Sequence, residues 1–144
     1  MNMDTLNAVE LWHQRARPNP NAEHLGVQMG CHAEEFLEML ETLVPTMVVR
    51  TAMKAVADSA DLWKSGVQVP MITDREAMLD SLADQIVTAV GVGHCATMNV
   101  PKAVEEVNNS NWSKFDRDGN PIFKPNGKIA KGADYKEPNL MGLY

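Results

Sequence analysis

The pattern of apolar and polar positions along the chain predicts an all-α protein of four or five helices. Apolar residues recur at helical spacing, and capping residues, prolines and glycines separate the segments. Asp4 is a candidate cap for the first helix, and Thr73 or Asp74 for the fourth. The predicted helices cover about residues 4–17, 23–44, 46–64, 74–98 and 102–111, with a break or kink at Pro45.

At Asp116 the helical pattern ends. The remaining residues are a run of turn signals around two short apolar pairs, and Asn126-Gly127 suits the tip of a small hairpin. We therefore expect one domain over residues 1–144, with a helical core at about 4–115. The polar tail, 116–144, is expected to form a short hairpin or to run extended.

The second predicted helix carries four glutamates within eight residues. Projection at about 100° per residue places Glu34, Glu38 and Glu41 on one side, with Glu35 at its flank. The other side is a broad apolar face formed by Phe36, Leu37, Met39, Leu40, Leu43 and Val44. No Lys or Arg follows any of these acids three or four positions later, so no basic side chain on the helix offsets their mutual repulsion. A bound cation would offset it.

The fourth predicted helix is unusually apolar. No Asp, Glu, Lys or Arg occurs from Gln85 to Pro101, so we expect this helix to be buried in the domain or in a subunit interface. Asp80 and Asp84 lie on one stripe of it, where an unpaired carboxylate would carry a desolvation cost. Mg²⁺ held between this helix and the second would neutralise both sets of acids. A purely structural acid cluster is the alternative.

Composition and charge narrow the function. A net charge of −6 disfavours broad binding to nucleic acid, although a small polyanion such as a nucleotide could meet a local basic patch. That patch is formed by Lys114, Arg117, Lys124, Lys128, Lys131 and Lys136. Cys31 and Cys95 are interpreted as buried thiols in a reduced compartment. Neither a secretory signal nor a membrane span is recognisable, so we expect a cytoplasmic protein without membrane contact.

At its acidic residues the sequence resembles the all-α nucleoside triphosphate pyrophosphohydrolases. This superfamily includes MazG, dimeric dUTPases, dCTP pyrophosphatases and phosphoribosyl-ATP pyrophosphohydrolase. Its pattern is Glu-Glu-x-x-Glu on one helix and Glu-x-x-Asp on the next. The first half is present here as Glu34-Glu35-Phe36-Leu37-Glu38. The second half reads Asp80-Ser81-Leu82-Ala83-Asp84, with serine where the family has glutamate.

A later segment resembles the phosphoribosyl-ATP pyrophosphohydrolase-like branch of the superfamily. Residues 106–115 read Glu-Val-Asn-Asn-Ser-Asn-Trp-Ser-Lys-Phe, followed by Asp118-Gly119, which is similar to that branch's Glu-Val-x-x-Ser-Asn-Met-Ser-Lys signature. The Asp-x-Leu-x-Asp form of residues 80–84 is also similar to that branch. The resemblance spans residues 5–140, in the order that the family uses.

The resemblance implies a MazG-like helical bundle that hydrolyses a (deoxy)nucleoside triphosphate to the monophosphate and pyrophosphate. It implies that Glu35, Glu38 and Asp84, with Asp80 in place of the missing glutamate, hold Mg²⁺, with Mn²⁺ as an alternative ion. Glu34 or Glu38 would orient or deprotonate the attacking water.

Contacts to the substrate phosphates are expected beyond the acids. Asn111 and Lys114 lie one helical turn apart and offer an amide and a positive charge to phosphate oxygens. A lysine at this position would equally complement the dipole of a helix end. Lys128, Lys131 and Tyr135 are further candidates in the tail.

Two other functions remain open at this point. One is phosphoribosyl-ATP hydrolysis. The other is a helical oligomer that binds nucleotide without turnover, because Ser81 in place of the family's glutamate has removed catalytic activity. We expect a homo-dimer or tetramer, because short helices cannot surround the apolar helix and also keep a cleft for a triphosphate. His32 and His94 are interpreted as core histidines rather than metal ligands.

Overall fold

The computed structural model describes residues 3–44 and 46–144 and confirms an all-α chain. No strand forms within these residues, and the break predicted at Pro45 lies outside them. The five helices begin and end within a few residues of their predicted limits. They are α1 (Met3–Ala16), α2 (Ala22–Glu41), α3 (Met47–Lys64), α4 (Arg75–Cys95) and α5 (Val100–Trp112).

The described chain divides into two compact units. One contains α1, α4 and α5 and is built from the chain up to Pro18, from Ile72–Ile122 and from Ile129–Tyr144. The other contains α2 and α3 and is built from Asn19–Met71 and Phe123–Lys128. The single domain expected from the sequence stays a prediction.

Polar side chains fix where the helices begin. Asn21 and His24 form a reciprocal capping box at α2, in which the Asn21 Oδ1 accepts from the His24 amide at 2.9 Å. Asp74 caps α4 by accepting from the Ala77 amide at 3.0 Å, as predicted. Asp4, the predicted cap of the first helix, lies instead in the first turn of α1, where its charge complements the helix dipole.

In the α2–α3 unit, two buried glycines bring the helices close together. A Cβ atom on Gly26 would lie 2.8 Å from the carbonyl oxygen of Trp63, and one on Gly30 would lie 2.8 Å from the carbonyl oxygen of Ala60. Any larger residue would therefore push the helices apart. The glycines determine which side of α2 faces α3.

That side is not the predicted apolar face. Phe36, Met39 and Leu43 are 51%, 42% and 59% exposed, whereas the side marked by the two glycines contacts α3. The prediction weighed large apolar residues, and it overlooked that a glycine adds little hydrophobicity but permits backbone contact. In this unit the chain also returns as the predicted hairpin. Lys124 donates its amide to the Lys128 carbonyl at 2.8 Å.

The α1–α4–α5 unit has a small aromatic core. Trp12 and Phe115 stack with their ring centroids 5.8 Å apart, and Ala16 and Ile129 complete the cluster. Thr5 at the start of α1 donates to the Glu105 carboxylate at 3.2 Å, so the early parts of α1 and α5 meet, as do their ends. The two helices therefore run parallel.

The polar tail follows α5 back along its length. The buried Ser110 hydroxyl donates to the Lys136 carbonyl at 2.7 Å, and the Lys136 amide donates to the Ser113 Oγ at 2.8 Å. The Asn99 amide then donates to the Leu143 carbonyl at 2.7 Å. The tail backbone is thus held by hydrogen bonds to Asn99, Ser110 and Ser113, without forming a strand within the described residues.

α4 is exposed rather than buried. Of its 21 residues, all described, 18 are exposed, among them Leu79 at 70% and Val87 at 67%. The expectation that this helix is buried within the domain is therefore wrong for the single chain, since α4 meets the rest of its unit mainly near Gly93. Burial in a subunit interface stays a prediction. None of the helices in the described part of the chain is long and apolar enough to cross a membrane.

Three residue interpretations change because of how α4 and α2 are exposed. Cys95 and His94 lie on the exposed end of α4, so neither is a buried group in the chain. His32 is also exposed, on α2, because this helix turns its glycine side to α3. Cys31 is half-buried.

Candidate metal and nucleotide site

The glutamate motif lies in the second half of α2. Glu35 and Glu38 are exposed, and neither side chain makes a hydrogen bond or ion pair with the described residues. Two carboxylates three residues apart on a helix face nearly the same way. The pair is therefore chemically suited to a hard divalent cation, which takes oxygen ligands.

Glu34 has a different environment. Its carboxylate accepts hydrogen bonds from the ammonium groups of both Lys64, at the end of α3, and Lys128, in the hairpin. Partial burial acts to raise the pKa of Glu34, but the hydrogen bonds from Lys128 and Lys64 outweigh it, so the pKa lies below its ordinary value. A carboxylate held by two cations is a weak proton acceptor, which favours Glu38 over Glu34 as the base.

A groove of about 290 Å³ opens between α2 and α3 beside this motif. Its acidic lining consists of Glu34, Glu38, Glu41 and Asp61, with Leu37, Ala57 and Ala60 as its apolar part. Sequence reasoning missed Asp61, and it also missed Lys64, which lies 3.6 Å from the Asp61 carboxylate. The signal available was the Gly26 and Gly30 pair, which shows which face of α2 meets α3.

The aspartate motif lies in the first half of α4, in the other unit. Asp80 and Asp84 are exposed, and their carboxylates have no hydrogen-bond or ion-pair partner among the described residues. The desolvation cost expected for an embedded aspartate does not arise in the single chain. Thr88 donates to the Asp84 backbone carbonyl at 2.8 Å and leaves its carboxylate unbonded.

The proposed metal ligands are thus divided between the units, with Glu35 and Glu38 in one and Asp80 and Asp84 in the other. Within residues 3–44 and 46–144, no three His, Cys, Asp or Glu side chains group closely enough to hold a metal ion. Each pair has the right donor atoms, but neither is a complete ligand set alone.

The predicted phosphate contacts divide in the same way. In the α1–α4–α5 unit, the Lys114 ammonium donates to the Asn111 Oδ1 at 2.6 Å, and the Lys131 ammonium lies 4.4 Å from the Tyr135 ring centroid. Lys128 belongs to the α2–α3 unit, where its hydrogen bond with Glu34 raises its pKa. Of these three lysines, Lys114 is hydrogen-bonded to Asn111, Lys128 is paired with Glu34, and Lys131 lies over the ring of Tyr135.

The two serines of the Ser-Asn-x-Ser-Lys segment stabilise the position of the tail. Ser110 and Ser113 both bond the backbone of Lys136, so they hold the tail against α5 beside Asn111 and Lys114. This arrangement explains their spacing without any nucleophilic role.

In comparisons with family models, curated proteins and solved structures, nothing matched this chain.

Proposed function

We propose that the protein is a Mg²⁺-dependent nucleoside triphosphate pyrophosphohydrolase. One observation carries the proposal: the four motif carboxylates of Glu35, Glu38, Asp80 and Asp84 are exposed, while their side chains have no protein partner in the described chain. Each of the two helices thus offers a pair of unpaired carboxylates, the oxygen ligands that a divalent cation such as Mg²⁺ takes. The sequence resemblance supplies the reaction.

Mg²⁺ or Mn²⁺ held by the motif carboxylates would screen the triphosphate and lower the pKa of the attacking water. Glu38 takes the proton of that water, since Glu34 is occupied by two lysines. Attack near the α–β bridge breaks one phosphoanhydride bond and gives a monophosphate and pyrophosphate. Asn111 and Lys114 bind phosphate oxygens, and Lys131 with Tyr135 lies farther along the tail.

Glu34 and Lys128 act together in this proposal. Lys128 positions Glu34 beside the acid pair, or it exchanges the Glu34 carboxylate for a phosphate when substrate arrives. Either role requires the positive charge of Lys128. The proposal includes a homo-dimer or tetramer as the working form, because α4 is left exposed by its own chain.

A nucleotide-binding oligomer without turnover is the second candidate. Ser81 stands where the family has a glutamate, and the described residues contain no complete ligand group. Binding without hydrolysis would follow if two acids per unit suffice to hold a metal nucleotide but not to activate water.

A panel of nucleotides, with phosphoribosyl-ATP included, decides between these functions. We expect pyrophosphate release with Mg²⁺ or Mn²⁺ and none in excess chelator, from the wild type but not from Glu38→Gln. The same samples should show a rise in melting temperature with metal and nucleotide. A thermal shift without pyrophosphate from any nucleotide would support the non-catalytic binder. The absence of both the thermal shift and pyrophosphate release would refute both functions.

A further inference from the structure

The hairpin of the α2–α3 unit carries one lysine on each side of its turn. Residues 124–128 read Lys-Pro-Asn-Gly-Lys, and they belong to this unit together with α2 and α3. The Lys124 amide donates to the Lys128 carbonyl at 2.8 Å, so the two residues lie directly opposite each other. Side chains that are opposite each other across an antiparallel pair share one face. Lys124 and Lys128 are therefore neighbours on the same face of the hairpin.

The turn between the two lysines is fixed by its own residues. The Gly127 amide donates to the Lys124 carbonyl at 2.9 Å, and the Lys128 amide donates to the Asn126 Oδ1 at 3.2 Å. Pro125 has a restricted φ, and Gly127 has a φ of 78°, which residues with a side chain rarely adopt. The spacing of the two lysines is thus set by the turn, before any ligand binds.

The positive charges beside this turn are only partly offset. Like charges directly opposite each other on a hairpin are destabilising. The Glu34 carboxylate accepts hydrogen bonds from Lys128 and Lys64, whereas the Lys124 side chain has no hydrogen-bond or ion-pair partner in the described part of this unit. Asp61 adds a second acid, 3.6 Å from the Lys64 ammonium. These five side chains carry three positive charges and two negative ones, so a net positive charge remains.

Lys128 also has hydrogen-bond donors to spare. An ammonium group carries three N–H donors, and Lys128 uses one of them on Glu34. Lys64, whose side chain is only 14% exposed, holds the same carboxylate from the end of α3. The Glu34 carboxylate therefore positions the Lys128 ammonium while leaving its other donors available.

We propose that Lys124 and Lys128 form a clamp for a phosphate group across the hairpin turn, with an oligophosphate as its ligand. Two ammonium groups on one face supply charge-assisted hydrogen bonds to phosphate oxygens, and a phosphate between them removes their repulsion. Lys128 keeps its bond to Glu34 in this arrangement. The clamp rests on the proposed function only for the choice of a nucleoside triphosphate as the oligophosphate, because a chain of phosphates without a base has the same terminal group.

Calorimetric titration of the full chain with tripolyphosphate tests the clamp, in excess chelator so that no metal contributes. We expect Lys124→Gln to weaken binding by about tenfold, because it removes a charged hydrogen-bond donor. Lys124→Arg, which keeps the charge, should retain most of the affinity.

The matched control is Lys54→Gln, which removes the same charge from α3 in the same unit. Lys54 lies about 15 Å before Lys64 along this helix, which is beyond the screening length of about 10 Å in 0.1 M salt. The affinity of this variant should therefore stay close to that of the wild type. No binding by the wild type, or equal losses in Lys124→Gln and Lys54→Gln, would overturn the clamp.

ATP and adenosine distinguish a nucleotide from free polyphosphate as the source of the phosphate group. For a nucleotide, we expect Lys124→Gln to weaken ATP binding as much as tripolyphosphate binding, and to leave adenosine binding unchanged. A loss with tripolyphosphate alone would support a clamp for inorganic polyphosphate. Pyrophosphate release is measured separately on the same variants. Lys124-dependent binding without any release would uphold the clamp and refute hydrolysis, whereas release together with Lys124-independent binding would overturn the clamp alone.

Discussion

The ammonium group of Lys128 donates a hydrogen bond to the carboxylate of Glu34, 94 positions earlier in the chain. Lys64 approaches the same carboxylate from the end of α3. The hairpin is thereby tied to α2 by charge inside one compact unit. This ion pair is also the point at which a candidate catalytic residue and a candidate substrate-binding residue meet.

The Glu34 ion pair predicts a pH-dependent stability. The pKa of Glu34 is lowered from 4.5 and that of Lys128 is raised from 10.5. The ion pair therefore contributes fully to the free energy of unfolding between those two ordinary pKa values. This contribution is lost as the pH falls through the lowered pKa of Glu34 or rises through the raised pKa of Lys128. Both side chains are about a third exposed, so we expect Glu34→Gln to reduce the unfolding free energy by about 1 kcal/mol at pH 7.

Urea unfolding at pH 7 and at pH 2.5 measures this loss, which should shrink at the lower pH. The exposed pair of Lys54 and Asp58, at 76% and 61% side-chain exposure, serves as the control. Asp58→Asn should have a smaller effect at pH 7, because water screens that pair. Equal losses for Glu34→Gln at both pH values would contradict an electrostatic origin.

Gly30 should be intolerant of a side chain. A Cβ at this position would lie 2.8 Å from the Ala60 carbonyl oxygen, so Gly30→Ala forces α2 and α3 apart. We expect a loss of about 1–3 kcal/mol in unfolding free energy. Gln28→Ala, on the exposed side of the same helix, should change stability by less than about 0.5 kcal/mol. A Gly30→Ala variant as stable as the wild type would show that the close approach is absent.

The two motif acids with most weight in the proposed reaction are Glu38 and Asp84. Glu38→Gln and Asp84→Asn each remove one charge and little volume, so the helical content by circular dichroism should persist. Pyrophosphate release should fall by about 100-fold or more. Glu23→Gln, which changes an exposed acid in the first turn of α2, at the other end of that helix from the motif, is the control and should retain most activity. Wild-type rates in either motif variant would remove that residue from the site.

Substitutions at Asp80 and Ser81 distinguish two interpretations of the altered motif, one in which Asp80 is the substitute metal ligand and one in which the chain uses a reduced ligand set. Asp80→Asn should weaken metal binding and lower the rate strongly, whereas Ser81→Ala should do little, because a hydroxyl supplies no charge to the site. Ser81→Glu should not fully rescue the Asp80 variant, since its carboxylate lies about 100° round the helix from position 80. A silent Asp80→Asn together with a faster Ser81→Glu would show that the chain uses a reduced ligand set.

The helices were predictable because their signals are local. Caps such as Asp74, the prolines and the Asn126-Gly127 turn act within a few residues, and the structure places elements where these residues indicate. The packing face of α2 was not predictable from hydrophobicity, since Gly26 and Gly30 act through the space they leave. Long-range pairing was beyond local patterns as well. No sequence feature near Glu34 predicts that Lys128 is its ion-pair partner.

The site was predictable only as two halves. The motifs identify Glu35 with Glu38 and Asp80 with Asp84, and the structure leaves all four accessible. The exposure of α4 could not be foreseen, because an uncharged stretch has the same composition whether its own chain or another molecule covers it.

The aromatic core has a spectroscopic consequence. The chain has three tryptophans. Trp12 and Trp112 both contact Phe115 in the α1–α4–α5 unit, while Trp63 lies in the last turn of α3 in the other unit. A Trp63→Phe chain would therefore fluoresce from one unit alone, and a chain with Trp12→Phe and Trp112→Phe from the other. Monitoring tryptophan fluorescence during denaturation of these two variants reports whether the units unfold together or in sequence, because each variant retains tryptophan in one unit only.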